Sequence, residues 1–152
     1  MAGAATGRPK DSYPSLRSWT MAQIRSRNTK PEIAVRKAAH ALGLRFRIHD
    51  ANLAGTPDLV FPRWKTVLFV HGCFWHLHHC ERARLPKTNA DYWTEKLQRN
   101  ARRDKAARRL LKRSGWRSAI IWECQVKDAA KLDRILQRLF DLAGANPRRR
   151  SR

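Results

Sequence analysis

Ten consecutive residues, His71-Gly-Cys-Phe-Trp-His-Leu-His-His-Cys80, hold two cysteines and four histidines. They follow directly on Thr66-Val-Leu-Phe-Val-His71, a run that is β-branched and apolar on both faces. Such a run is the pattern of a central strand covered on both sides, so helices must flank a sheet and the Cys/His loop must leave the end of its middle strand. Cys73, His78 and Cys80 are soft and borderline metal ligands close in sequence, but a closed tetrahedral zinc site needs a fourth. The remaining cysteine, Cys124, follows an apolar run ending at Trp122. If strands 66–71 and 117–122 are neighbours with their C-terminal ends together, Cys124 completes a Cys3His set. Either His78 or His79 could supply the nitrogen. The competing reading is three buried thiols beside surface histidines, because free cysteine is readily buried.

The chain has 152 residues, enough for one domain with its own core and without disulfide support. It carries 33 Lys+Arg against 12 Asp+Glu, a formal charge of +21. That much self-repulsion is best tolerated by a protein whose partner is a polyanion, which points to nucleic acid and says nothing about catalysis. Ribosomal proteins and basic chaperones share such charge. No stretch of 18 apolar residues is present, and the first ten residues lack the apolar centre of a signal peptide. The expected place is the cytoplasm, on the nucleoid and away from membranes. Three cysteines there fit metal ligation or burial better than disulfides.

Residues 1–20 mix Gly, Pro, Ser and basic side chains without periodicity, and 144–152 form a basic tail. Both are expected to be flexible, leaving 21–143 as the folded domain. Thr29-Lys-Pro-Glu32 reads as a capping box opening a helix that carries Ile33, Ala34, Ala38, Ala39 and Leu42 and stops at Gly43. Leu44, Phe46 and Ile48 alternate with Arg45, Arg47 and His49, as in a strand with one wet face, and Asp58-Leu-Val-Phe61 reads as a second strand. Pro62–Lys65 is a turn into the strand 66–71. A long basic helix runs from Asn89, its expected N-cap, to Ser114-Gly115. A strand over 117–122 and an amphipathic helix with Leu132, Ile135, Leu136, Leu139 and Phe140 on one side complete a layered α/β domain.

Two carboxylates attract attention. Asp58 stands at the start of one strand and His71 at the end of the next, and these ends meet in an antiparallel hairpin. A carboxylate there can hold Mg²⁺, although Asp58 on its own reads far more readily as a turn former or strand-end cap. In the long helix, 100° per residue puts Trp93, Leu97, Asn100, Asp104, Ala107 and Leu111 near one line, so Asp104 points inward and needs a partner. Glu32 is already explained by the capping box.

Together Pro57-Asp58, His71-Gly-Cys-Phe-Trp-His76, His78, Cys80, Asp91-Tyr-Trp-Thr-Glu-Lys96, Gly115-Trp-Arg117 and Trp122-Glu-Cys124 resemble the very-short-patch-repair (Vsr) endonucleases. The likeness spans about residues 17–142. It implies a restriction-endonuclease-like fold, with a central mixed sheet flanked by helices and a structural zinc site. It implies an Mg²⁺-dependent endonuclease that nicks one strand 5′ of the thymine in a T·G mismatch left by deamination of 5-methylcytosine. Double-stranded DNA would be the substrate, a cytosine-5 DNA methyltransferase the functional associate, and mismatch-repair proteins possible partners.

By the same resemblance Asp58 and the backbone carbonyl of Val70 hold Mg²⁺, Val70 standing where the family often has Thr. His71 acts on the water and leaving side, His76 assists at the phosphate, and Glu32 and Asp104 support them, Asp104 by orienting His76 or a water. No Glu-x-Lys follows Asp58, so the ordinary restriction-enzyme signature is absent and the histidines must replace that lysine. Cys73, His78, Cys80 and Cys124 hold Zn²⁺. Phe74, Trp75 and Trp93 are expected to intercalate from the major groove, the first two pushed outward as a wedge, with Met21 entering from the minor groove. Lys96 and Asn100 are expected to read base edges or meet phosphate.

Two rival classes remain. A non-catalytic zinc-stabilised nucleic-acid-binding module would keep the Cys/His set and the charge, with no need of Asp58, His71, His76 and Asp104 together. A restriction or Holliday-junction nuclease of the same fold would differ in substrate.

Overall fold

The computed structural model describes residues 27–142. Met21, the N-terminal segment and the basic tail expected above lie outside them.

The first helix, α1 (Lys30–Ala41), begins at Thr29, whose hydroxyl accepts from the Glu32 amide, and ends before Gly43 at φ +78. The Glu32 carboxylate reaches back one residue further than in a capping box, accepting from the Asn28 amide at 2.9 Å. The expected apolar stripe holds in part: Ala39 is buried and Ala38 and Leu42 pack against the core, but Ile33 is 40% exposed and Glu32 and Val35 point inward. A polar group on the buried face of α1 is the first sign that this face serves a site.

Four strands follow: β1 (Arg47–Ile48), β2 (Leu59–Phe61), β3 (Thr66–His71) and β4 (Arg117–Trp122). They lie in that order, β1·β2 and β2·β3 antiparallel and β3·β4 parallel, so the sheet is mixed. The strand expected over Leu44–Ile48 shrinks to two residues, and Ile48 is exposed, because the chain turns out of the sheet at His49 with φ +48. The β2–β3 turn is tight: Pro62–Trp64 form one turn of 3₁₀ helix and Lys65 adopts a left-handed conformation.

Helix α2 (Ala90–Arg113) covers one face of the sheet. Asn89 occupies the position before it in a left-handed conformation, without the side-chain cap expected of it. After β4 come a single turn, α3 (Glu123–Val126), which the sequence reading missed, and α4 (Ala129–Leu139).

Two cores flank the sheet. Val35, Leu59, Phe61, Leu68, Ile121, Leu132, Leu136 and Phe140 fill the side under α1 and α4. Val60, Val67, Phe69 and Leu111 fill the side under α2. Alternation along β3, with Leu68 facing one core and Val67 and Phe69 the other, is the double coverage expected of this strand. No helix among the described residues is long and apolar enough to cross a membrane.

Candidate functional site

The parallel register His71↔Trp122 places the C-terminal ends of β3 and β4 side by side. The loop after β3 and the turn after β4 therefore share one rim. A cleft of about 630 Å³ opens there, lined by Glu32 from α1, Asp58 and His71 from the hairpin, Trp75 and His76 from the loop, and Asp104 from α2. Gly55 lets the hairpin approach α2. Its φ is +77, and a Cβ added there would come within 2.8 Å of the Ala107 Cβ.

Asp58 is anchored by the Val70 amide, which donates to its Oδ2 at 2.6 Å across the β2/β3 ladder. The atom of Val70 brought to Asp58 is thus its N–H. Burial pushes the Asp58 carboxyl up to about 6, with Glu32 adding repulsion and Val70, Arg36 and His76 opposing it. Ligand atoms of Glu32, His49 and Asp58 lie within 4.8 Å of one another. Glu32 is itself held, accepting from Thr29 Oγ at 3.0 Å and from Arg36 Nη2 at 3.0 Å, while Arg36 also donates to His49 Nε2 at 2.9 Å. His49 and Arg36 were missed from the sequence: His49 was read as the wet side of a strand that ends one residue earlier.

Beside this group, His71 and His76 stack with centroids 3.6 Å apart and planes at 12°. His76 Nδ1 meets Asp104 Oδ2 at 2.6 Å, giving Asp104 the inward partner its helix position required. Burial, and then the neighbouring His76, pull the His71 imidazole down to about 4, against the opposing charge of Asp104. Its Nδ1 is buried with no partner among the described residues. A buried polar nitrogen without a partner costs about 1–3 kcal/mol, a cost tolerated where the atom is kept for a ligand. The Asp104 carboxyl pays a burial penalty but lies below its ordinary range, because the His76 hydrogen bond and charge, then His71 and Arg103, outweigh it.

The second cluster lies behind Trp122. Ligand atoms of Cys73, His78, Cys80 and Cys124 converge within 4.8 Å, and Cys124 Sγ is 3.6 Å from His78 Nδ1. A tetrahedral ion with Zn–S of about 2.3 Å and Zn–N of about 2.05 Å requires an S···N edge of about 3.6 Å, so this set fits zinc. His78, and not His79, is the histidine gathered here. Burial pushes the Cys73 thiol up to about 12. The Cys80 thiol lies below its ordinary value: a burial penalty is outweighed by hydrogen bonds from the Arg82 amide, the other two cysteines and the Ala83 amide. The Trp122 indole stacks on His78 at 4.2 Å and meets His71 edge-on at 5.5 Å, forming a wall between the two clusters. Trp122 was expected as a strand end and as part of the Trp-Glu-Cys motif, not as this wall.

The aromatics differ from expectation. Phe74 and Trp75 do not project outward as a free wedge; both are half-buried and pack edge-to-face on Trp93, at 5.4 and 6.0 Å. Lys96 lies over Trp75, Tyr92 and Trp93 at 5.5–5.6 Å. Asn100 is engaged within the protein, donating to the Trp75 carbonyl at 3.2 Å and accepting from Arg103. The first of these hydrogen bonds ties the aromatic loop to α2.

Comparison with known proteins bears on this site. The family described as "DNA mismatch endonuclease Vsr" matches residues 10–82. The chain is 47% identical over 128 residues to the Type II nicking enzyme V.XorIIP of Xanthomonas oryzae pv. oryzae, covering 84% of this chain and 94% of that relative. It is 40% identical over 131 residues to the Type II nicking enzyme V.NmeAIP of Neisseria meningitidis, covering 84% and 94%. Over 118 residues it is 40% identical to the DNA mismatch endonuclease Vsr of Escherichia coli K12, covering 78% and 76%.

Proposed function

The chain belongs to the Vsr family of DNA endonucleases, and on that premise we propose that it nicks one strand 5′ of the thymine in T·G mismatches arising from 5-methylcytosine deamination, opening the way to very-short-patch repair. The observation that carries the reading is the convergence of Asp58, His71 and the His76–Asp104 pair in one cleft. A zinc module that only bound nucleic acid would have no use for it.

Each group has a task set by its surroundings. Asp58, desolvated and with one oxygen tied to Val70, is a carboxylate short of a counter-cation, and with Glu32 and His49 nearby it fits a divalent ion. Asp58, together with the Val70 backbone carbonyl implied by the resemblance, would hold Mg²⁺. When bound, Mg²⁺ polarises the phosphodiester and favours ionisation of the attacking water. His71 is neutral at physiological pH, and its Nδ1, without a partner among the described residues, can accept a hydrogen bond from the attacking water. Asp104 fixes the His76 tautomer by accepting from Nδ1, leaving Nε2 for the phosphate or the departing oxygen. Cys73, His78, Cys80 and Cys124 would hold a structural zinc, and in doing so would tie the β3 loop to the turn after β4, with His71, Phe74, Trp75 and His76 between or beside these ligands.

Phe74, Trp75 and Trp93 are proposed to enter the base stack beside the mismatch, where unstacking costs least, with Met21 from the opposite groove. Lys96 leaves the rings for DNA as they move. The methylated site is supplied by a cytosine-5 methyltransferase, and mismatch-repair proteins are the expected associates.

The test is nicking of end-labelled duplexes carrying T·G within randomised flanks, in Mg²⁺ and in EDTA. One nick immediately 5′ of the thymine, confined to Mg²⁺ and absent from T·A duplexes, is the expected result. Equal cutting of matched DNA, or none, contradicts the proposal.

A further inference from the structure

The second half of α2 carries a charged surface that the cleft chemistry does not use. Residues 105–113, Lys-Ala-Ala-Arg-Arg-Leu-Leu-Lys-Arg, hold five cations and no acid. With the start of β4 they line a groove of about 620 Å³ containing Lys105, Arg108, Arg109, Lys112, Trp116 and Arg117. Two cations are fixed in place: Arg117 donates to the Leu139 carbonyl at 3.1 Å, and Arg108 Nε to Ser118 Oγ at 3.5 Å. Lys105, Arg109 and Lys112 are exposed and have no acidic partner among the described residues. The helix dipole favours Lys112 and Arg113 in the last turn, but it gives no reason for Lys105, Arg108 and Arg109.

Arg108 lines both this groove and the catalytic cleft, so the two adjoin at that side chain. The groove opens at the N-terminal end of β3 and β4, beside Thr66 and Arg117, and the cleft at the C-terminal end, beside His71. Thr66 and His71, at the two ends of β3, are five residue steps apart, about 17 Å at ~3.3 Å per residue. That is the rise of about 5 base pairs at ~3.4 Å each.

We propose that this groove is a second phosphate-binding site, which holds the sugar-phosphate backbone of the same duplex about half a helical turn or more from the nicked bond. Unpaired cations on a rigid helix, beside the cleft, match a polyanion that leaves the cleft in one direction. The inference rests on the DNA endonuclease reading and is independent of the mismatch preference, because backbone contacts carry no sequence information.

The test measures binding of the full chain to T·G and matched duplexes by fluorescence anisotropy over a range of salt. The Arg109→Gln/Lys112→Gln variant is compared with the parent and with the charge-matched control Lys37→Gln/Arg45→Gln. Duplexes are long, or trimmed on each side in turn to about three base pairs beyond the mismatch position. On long duplexes the groove variant should bind about 3–10-fold more weakly, with a salt slope lower by about 1–2. On T·G duplexes, trimming one side, and not the other, should abolish the difference from the parent; on long matched duplexes the weaker binding and lower salt slope should remain. A loss that persists on every duplex, a loss no larger than the control's, or no loss would overturn the proposal. Failure to prefer T·G would count against the proposed function alone, since the matched duplexes still decide the groove.

Discussion

His76 and Asp104, 28 residues apart in sequence, meet at 2.6 Å, and the pair joins the loop after β3 to the middle of α2. The carboxylate both holds the imidazole at its stacking distance from His71 and selects its tautomer. Asp104→Asn keeps the shape and loses the charge, and is expected to lower the single-turnover nicking rate about 10–100-fold while leaving DNA affinity nearly unchanged. Rate and affinity measured on the same preparation check this. A parental rate would mean that the pair is only a tie between loop and helix.

Burial raises the Asp58 carboxyl to about 6 from an ordinary 3.8, so the folded protein binds this proton more tightly than the unfolded chain. Stability is therefore lost as pH rises from about 4 to about 6, and the deficit is full above that range. In metal-free buffer Asp58→Asn should be more stable than the parent at pH 7–8, by on the order of 1–3 kcal/mol. The advantage should shrink below pH 6 and vanish near pH 4. Denaturant midpoints across pH check the sign, and a variant less stable at pH 8 would contradict it.

One zinc per chain is expected, retained through purification and lost on prolonged chelation together with cooperative unfolding. His78→Ala and Cys124→Ser should lose the metal and the fold, whereas His79→Ala should keep both. Metal analysis with thermal melts decides this. A cooperatively folded, zinc-free parent would remove the structural-zinc account.

Trp75→Ala, and more weakly Phe74→Ala, should reduce the preference for T·G over T·A duplexes, while the salt slope of binding stays within about 0.5 of the parent's, since rings neutralise no phosphates. Undiminished discrimination in both variants would make the Phe74–Trp75–Trp93 cluster a packing feature.

The parts of this molecule that were legible in its sequence are those governed by short-range pattern. The apolar run 66–71 announced a doubly covered strand, and the spacing from His71 to Cys124 required β3 and β4 to run in parallel if the four ligands were to meet, as they do. Helical angle alone put Asp104 inward. What stayed hidden depends on where the backbone leaves its pattern. His49 looked like one more exposed strand residue because nothing local signals the positive φ that swings it toward Glu32. Val35 was left out of α1's expected core face, whereas it is fully buried and shares that face with Glu32, which is 3% exposed. Asn100 and Lys96 were placed on the right helix, but their partners, the Trp75 carbonyl and three aromatic faces, are set by a loop whose course the sequence does not reveal.

The central claim is that the cleft performs Mg²⁺-dependent nicking through Asp58 and that this chemistry is separable from DNA binding. The measurement is the nicking rate and affinity of the parent and Asp58→Asn, side by side, on a T·G duplex in Mg²⁺. The predicted result is a rate lower by at least ~10³-fold with affinity equal to or slightly tighter than the parent's, because removing one carboxylate from a protein of net charge +21 cannot weaken its attraction to DNA. A near-parental rate for Asp58→Asn would contradict the account and favour a zinc-stabilised binding module whose cutting centre, if any, lies elsewhere.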